Sequence, residues 1–179
     1  GGCLADDMGL GKTLQAIALL AGIYPAEEKP SLVIIPKSLI HNWQNEIEKF
    51  SPGLDVYIYY GPQRDIEAAR NSQVIITTYG LARSDIDVLR KEMFYYIILD
   101  ESQQIKNINS QISRAVMTLQ SVNRLALSGT PIENNLGELY ALFRFLNPAM
   151  FGNLERFHRH YLVPIQQLGN KEVAHELKR

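Results

Sequence analysis

Short apolar runs alternate with amphipathic stretches along most of the chain. The runs occupy residues 3–5, 32–35, 56–60, 74–77, 96–99 and 124–127. Several contain no polar residue, as expected of strands that are covered on both faces. Between them, apolar residues recur at helical spacing. The pattern therefore predicts an α/β fold of three layers, in which a mainly parallel sheet is flanked by helices.

Four apolar stripes define the predicted helices. They are Leu14, Ile17, Ala18 and Ala21; Leu39, Trp43, Ile47 and Phe50; Ile112, Val116 and Leu119; and Leu136, Leu139, Phe143 and Leu146. Ser38 is the predicted N-cap of the second helix, and Asn135 with Glu138 resembles a capping box before the last. Each stripe predicts a buried helix face. Beyond Pro148 the pattern weakens, and residues 153–163 predict a short aromatic helix.

Composition narrows the class of protein only modestly. The chain has 179 residues, of which 46% are hydrophobic and 21% charged, and its net charge is −1. These values fit one globular domain and neither suggest nor exclude a nucleic-acid partner. Cys3 is the only cysteine, which rules out an intrachain disulfide. With no signal peptide and no apolar run near ~20 residues, we expect a cytoplasmic protein, associated with the nucleoid if bacterial.

A Gly-rich turn near the start of the chain predicts a phosphate-binding loop. Gly9 and Gly11 permit the tight turn, Lys12 would reach the phosphates, and the hydroxyl of Thr13 would bind magnesium. The general pattern has Gly six positions before the lysine, where this chain has Asp6. The candidate nucleotide-binding residues are Asp7, Met8, Gly9, Leu10, Gly11, Lys12 and Thr13.

An acidic pair closes the fifth apolar run. Asp100 and Glu101 follow residues 96–99 directly, at the carboxyl end of a predicted parallel strand, where such folds bind ligands. We assign Asp100 to Mg²⁺ and Glu101 to the attacking water. The acidic pair and the glycine-rich turn describe the two halves of a site for a nucleoside triphosphate and Mg²⁺, and their ordered occurrence seldom arises by chance.

Three further loops follow apolar strands and carry hydroxyl or cationic side chains. They begin at Pro36, Thr77 and Ser128. Such loops could hydrogen-bond a phosphodiester backbone without reading its sequence. Taken singly, each is more often an ordinary turn between a strand and a helix, so their order along the chain carries the argument.

In that order, the strings resemble the motor domain of the Swi/Snf family of DNA-translocating ATPases, within helicase superfamily two. Residues 6–13 resemble motif I, 36–43 motif Ia, 77–79 motif Ib, 100–103 motif II and 128–131 motif III. The run from Gly129 to Asn134 is specific to the family, and the whole looks most like its prokaryotic, HepA-like branch. Gln103 stands where many members have His, and Ser128 where Thr is usual; both keep hydrogen-bonding capacity.

The resemblance implies a domain organisation and a set of catalytic residues. Residues 1–150 would form an N-terminal RecA-like ATP-binding lobe truncated at its start, and residues 151–179 a helical extension toward a second lobe absent from this chain. The chain starts at Gly1 without an initiator methionine, so we expect a piece of a longer protein. The implied catalytic residues are Lys12, Asp100, Glu101 and Gln103. Without the second lobe, we expect almost no ATP hydrolysis.

The resemblance also implies partners. The backbone of double-stranded DNA would contact Lys37, Ser38, Thr78, Tyr79 and Thr130. Ser128, Gly129 and Thr130 would couple the state of the γ-phosphate to the contact with DNA. The implied activity is an ATPase that slides on double-stranded DNA and remodels or displaces a DNA-bound protein.

Two other functions stay open at this stage. The first is a helicase that separates RNA or DNA strands, against which the Ile132-Glu133-Asn134 extension of motif III argues. The second is a degenerate lobe kept as a nucleotide-binding scaffold. Degeneration usually removes the lysine or an acidic residue first, and Lys12 and Glu101 are both present.

Overall fold

The computed structural model describes residues 1–5, 11–129, 136–148, 156, 159 and 160. The strands are β1 Gly2–Leu4, β2 Ser31–Ile35, β3 Val56–Ile58, β4 Val74–Thr78, β5 Met93–Leu99 and β6 Gln120–Leu127. The α-helices are α1 Lys12–Ile23, α2 Ile40–Phe50, α3 Ile66–Arg70, α4 Tyr79–Ser84, α5 Ile86–Leu89, α6 Gln111–Thr118 and α7 Leu136–Leu146. Short 3-10 helices span Lys37–Leu39 and Ser102–Ile105.

The described strands form one parallel sheet in the order β1-β6-β5-β2-β4-β3. Every predicted strand is present, and its ends either coincide with the prediction or differ from it by at most four residues. The parallel pairing and the flanking helices confirm the predicted α/β fold with three layers. Because the strands run the same way, the loops that follow them lie at one carboxyl edge.

Both faces of the sheet are covered, which explains the unbroken apolar runs. In β2, Leu32 and Ile34 pack into the core beneath α3 to α7, whereas Val33 and Ile35 pack against α1 and α2. All five residues of β2 are buried, and so are all five of β4. Strands of this kind lose the alternation of apolar and polar residues that marks a half-exposed sheet.

The start of the second helix differs from the prediction. Ser38 is not its N-cap, because Lys37–Leu39 forms a 3-10 helix and α2 begins at Ile40. The main-chain N–H of Leu39 donates to the oxygen of Pro36 at 2.9 Å, which closes that tighter turn. The consequence is that Ser38 remains exposed.

The predicted helix faces are only partly right. In α1, Ile17 is buried as predicted, but Leu14 and Ala18 are exposed and the other buried residues are Ala16 and Leu20. Phe50, the last residue of α2, is also exposed. The buried residues of α7 are Tyr140, Ala141, Leu142, Phe145 and Leu146, whereas Leu139 and Phe143 are half-buried. Helices α1 and α7 are apolar nearly all round, so spacing alone could not select the face.

Other predictions fall on residues outside the described ranges. Asn135 is one of them, so the capping box stays a prediction, as does the aromatic helix over 153–163. The division at residue 150 likewise stays a prediction. Among the described residues, no helix is both long and apolar enough to cross a membrane.

Arg124 ties the last helix to the sheet. Its guanidinium donates to the main-chain oxygens of Phe145 at 3.0 Å and Leu119 at 2.6 Å. It also lies over the ring of Phe145, 5.0 Å from the centroid. Burial lowers the pKa of Arg124, yet a guanidinium stays charged in proteins. One side chain thus links β6 with the ends of α6 and α7.

Replacing Arg124 by Lys should lower the free energy of unfolding by about 1–3 kcal/mol, because an ammonium cannot reach both carbonyls in the planar geometry. Urea unfolding followed by circular dichroism measures the change. Arg114→Lys, on the exposed face of α6, is the matched control and should stay within about 0.5 kcal/mol. Equal stability of both variants would contradict this role.

Candidate nucleotide and DNA site

The phosphate turn leads into a helix whose start is shaped by a glycine. Gly11 is the N-cap of α1 and has a left-handed conformation, with φ 74° and ψ 30°. Lys12 and Thr13 form the first turn of α1 and are half-buried. No acidic residue lies in that turn. The positive end of the helix dipole is therefore available to an anion at this position.

The order of the strands fixes where the predicted coupling residues lie. β6 lies between β1 and β5, and Ser128 and Gly129 directly follow β6. The main-chain N–H of Ser128 donates to the oxygen of Leu4 at 3.0 Å. Ser128 is buried and Gly129 is half-buried. These two residues therefore lie between the carboxyl ends of β1 and β5.

Asp100 is buried at the end of β5, with 6% of its surface exposed. Its side chain accepts hydrogen bonds from Trp43 Nε1 to Oδ2 and from the Glu101 N–H to Oδ1, each at 2.8 Å. Its main-chain N–H donates to the oxygen of Ile34 at 2.9 Å, and its main-chain oxygen accepts from the Tyr79 hydroxyl at 2.6 Å. Asp100 is thus held at both its main chain and its carboxylate.

Electrostatics connect Asp100 with the phosphate turn. Burial raises the pKa of Asp100 because the charged carboxylate is less stable away from water. Hydrogen bonds from Trp43 and Glu101, and the positive charge of Lys12, act in the opposite direction. The charge of Lys12 thus favours the ionised form of Asp100, whereas burial opposes it.

Glu101 has the one left-handed backbone conformation of a non-glycine residue in the described part of the chain, with φ 50° and ψ 55°. Such a conformation costs roughly 1–2 kcal/mol and is concentrated at functional sites. Its carboxylate accepts a hydrogen bond from Gln103 Nε2. The other polar atom of that amide, Oε1, is buried without a partner. The acidic pair therefore sits in a strained and incompletely satisfied turn.

The predicted DNA contacts fall into two groups. Lys37 and Ser38 are exposed at the carboxyl edge, before α2. Lys37 Nζ lies 5.6 Å from the ring centroid of Tyr60, and a hydrogen bond with this tyrosine raises the pKa of Lys37. Tyr60 is itself exposed. These side chains are accessible to a polyanion.

Thr78 and Tyr79 form the second group and are buried. The hydroxyl of Thr78 caps α4 by accepting from the N–H of Leu81 at 3.3 Å. The hydroxyl of Tyr79 reaches Asp100. Their contact with DNA stays a prediction, and these hydroxyls are used inside the protein. Thr130 and residues Asp7, Met8, Gly9 and Leu10 lie outside the described ranges.

The residues present fit a magnesium nucleotide. A carboxylate oxygen has two lone pairs, so each oxygen of Asp100 keeps one for a metal after accepting its hydrogen bond. Thr13 supplies a hydroxyl in the first turn of α1. In the described part of the chain, no cluster of three or more His, Cys, Asp or Glu could hold a metal. Mg²⁺ needs no such cluster, because phosphates and water complete its coordination.

Comparison with known proteins identifies the family. The SNF2-related domain matches residues 1–179, the whole chain. The chain belongs to the SNF2-related domain family. The "Putative ATP-dependent helicase/translocase YwqA" of Bacillus subtilis is 44% identical over 174 residues, covering 93% of this chain and 19% of YwqA. The "TATA-binding protein-associated factor mot1" of Schizosaccharomyces pombe is 39% identical, covering 92% of this chain and 9% of mot1.

A solved structure supports both the family and the fold. The "Sulfolobus solfataricus SWI2/SNF2 ATPase core in complex with dsDNA" matches with a TM-score of 0.91 and 41% identity. The match covers 98% of this chain and 37% of that chain. This SNF2-related domain therefore has the fold of part of a SWI2/SNF2 ATPase core, and it spans less than a fifth of the length of YwqA and mot1. The resemblance identified from the sequence motifs is confirmed.

Sequence reasoning missed the contribution of Trp43. The helical spacing predicts only a packing role for Trp43, and the residue is indeed fully buried. Its indole N–H nevertheless donates to Asp100, 57 residues along the chain. A buried tryptophan usually finds a hydrogen-bond partner, but spacing along the sequence could not identify which one.

Because Gly11 has a left-handed backbone, we expect alanine to lower the free energy of unfolding at Gly11 and to raise it at Gly22. Gly11→Ala should lower the free energy of unfolding by about 1 kcal/mol through backbone strain alone, because nothing lies within 4 Å of the added Cβ. Gly22→Ala, near the end of the same helix and equally open, should raise it by about 0.5 kcal/mol. Urea unfolding of both variants measures the difference. A stabilising Gly11→Ala would contradict the assigned conformation.

Proposed function

We propose that this chain is the ATP-binding lobe of an ATPase that depends on double-stranded DNA and translocates along it. The observation that carries the proposal is the burial of Asp100 among hydrogen-bond donors at the carboxyl edge of a SNF2-related domain. The names of two similar proteins, a "helicase/translocase" and an "ATPase core in complex with dsDNA", support the choice of reaction and partner.

Each residue of the site has a proposed task. Lys12 and the N–H groups at the start of α1 bind phosphates, and Thr13 with Asp100 holds Mg²⁺. When bound, Mg²⁺ would neutralise the negative charge that develops on the phosphates during transfer. Glu101 orients the attacking water and accepts its proton. Gln103 donates to Glu101 and so restrains the carboxylate that performs this step.

Contact with DNA is proposed at the loop before α2. Lys37 and Ser38 are exposed there, and a lysine and a hydroxyl can bind phosphates without reading bases. Ser128, Gly129 and Thr130 would couple nucleotide to DNA, since Ser128 lies between β1 and the acidic pair. The proposed partners are double-stranded DNA, a DNA-bound protein that is remodelled or displaced, and a second RecA-like lobe of the full-length protein.

The full-length protein should hydrolyse ATP with Mg²⁺, and double-stranded DNA should stimulate the rate. Glu101→Gln should lower the stimulated kcat by about 10²–10⁴-fold, because water loses its base. The chain alone should turn over roughly 10³-fold more slowly or worse, since transition-state arginines on the other lobe would be missing. A coupled-enzyme ATPase assay measures all three.

Other outcomes of that assay separate the alternatives. Stimulation by RNA alone, with strand separation in an unwinding assay, would favour a helicase. Nucleotide binding by the full-length protein without hydrolysis in any condition would favour a degenerate scaffold.

A plot of the logarithm of the DNA-binding constant against the logarithm of salt concentration has a negative slope. Lys37→Ala should make that slope shallower by about 1, because one phosphate contact is lost. Fluorescence anisotropy with two unrelated duplexes measures it, and both should weaken equally. Lys49→Ala is the matched control: Lys49 also lies over an aromatic ring, 4.9 Å from the Phe50 centroid, but at the opposite end of α2. An equal loss in both variants would count against a specific contact at Lys37.

A further inference from the structure

Two buried donors converge on Asp100 from two different helices, α2 and α4. Trp43 Nε1 donates to the carboxylate at 2.8 Å, and the Tyr79 hydroxyl donates to the main-chain oxygen at 2.6 Å. The exposed fractions of Trp43, Tyr79 and Asp100 are 0%, 4% and 6%. Water therefore competes little for these bonds, and each donor would lose its partner if Asp100 moved.

Each donor is joined rigidly to a segment proposed to face DNA. Trp43 is the fourth residue of α2, which follows Lys37–Leu39 without a break. Tyr79 is the first residue of α4 and directly follows Thr78, the cap of that helix. A displacement of either segment moves the helix start that follows it as a unit, because helical hydrogen bonds resist local bending. The displacement is then transmitted to Asp100.

The hydrogen bonds also define the orientation of the carboxylate. Trp43 occupies one site on Oδ2, and the N–H of Glu101 occupies one on Oδ1 at 2.8 Å. With a donor on each oxygen, rotation of the carboxyl group would break at least one buried bond. Donors that orient a metal-binding side chain in this manner typically contribute 10–100-fold to metal affinity or activity.

We propose that Trp43 and Tyr79 are positioning residues that orient Asp100 and link the starts of α2 and α4 to the metal carboxylate. Neither residue touches the nucleotide. This inference rests on the proposed function, since it takes Asp100 as a ligand of Mg²⁺. It assigns Tyr79 a hydrogen bond inside the protein, where the sequence motif predicts a contact with DNA.

The test uses the full-length protein and two conservative variants. Trp43→Phe keeps an aromatic ring and removes the N–H, whereas Tyr79→Phe removes one hydroxyl. Tyr24→Phe is the matched control, because the Tyr24 hydroxyl is also buried and also donates to a main-chain oxygen at 2.6 Å, that of Lys29. Calorimetric titration measures the affinity of a non-hydrolysable ATP analogue at a series of Mg²⁺ concentrations. The DNA-stimulated rate is measured in parallel.

Trp43→Phe should raise the Mg²⁺ concentration required for tight analogue binding about 10-fold or more, with the affinity measured in excess chelator unchanged. Tyr79→Phe should shift the requirement in the same direction, and Tyr24→Phe should not shift it. A purely structural role would instead weaken binding equally with and without Mg²⁺.

Three results would overturn the inference. In the first, analogue binding by Trp43→Phe and Tyr79→Phe depends on Mg²⁺ as it does in Tyr24→Phe. In the second, both variants lose analogue affinity equally at all Mg²⁺ concentrations, and in the third, Tyr79→Phe binds DNA more weakly while its Mg²⁺ dependence is unchanged. If Trp43→Phe does not fold, Tyr79→Phe alone decides. Absence of Mg²⁺-dependent analogue binding in the unmodified protein would instead refute the proposed function, so the two failures are distinguishable.

Discussion

The parallel alignment of the sheet is the constraint on which the rest of this SNF2-related domain depends. Every described strand pairing is parallel, so each strand delivers its following loop to the same edge. The cost is that helices must cover both faces, and the buried runs of β2 and β4 meet that requirement. With β6 between β1 and β5, Ser128 lies between the carboxyl ends of those two strands.

Burying a carboxylate at that edge costs free energy unless hydrogen-bond donors and an opposite charge stabilise it. Asp100 has both, through Trp43, the N–H of Glu101 and the charge of Lys12. The same bonds connect the starts of α2 and α4 to the proposed metal ligand. Packing, electrostatics and the proposed chemistry therefore depend on the same few side chains, and the left-handed turn at Glu101 stores strain beside them.

The sequence predicted the strands well because a short, unbroken apolar run fits few structures other than a buried strand. It predicted helix faces poorly in α1 and α7, whose residues are apolar nearly all round, and it misplaced the N-cap of α2 at Ser38. Those errors share a cause. Which face is buried, and where a 3-10 turn gives way to an α-helix, depend on the neighbouring layer rather than on local spacing.

The chemistry proposed for the candidate site rests on residue types and their order alone. Few other functions require Gly11, Lys12, Thr13, Asp100 and Glu101 in this order. The chain itself also determined the family, through motifs that can be read without coordinates. Only the tertiary structure decided that Trp43 and Tyr79 bond to Asp100, because these contacts join residues 57 and 21 positions apart. Contacts between residues so far apart in sequence cannot be predicted from local spacing, because only the folded sheet brings the strand ends together.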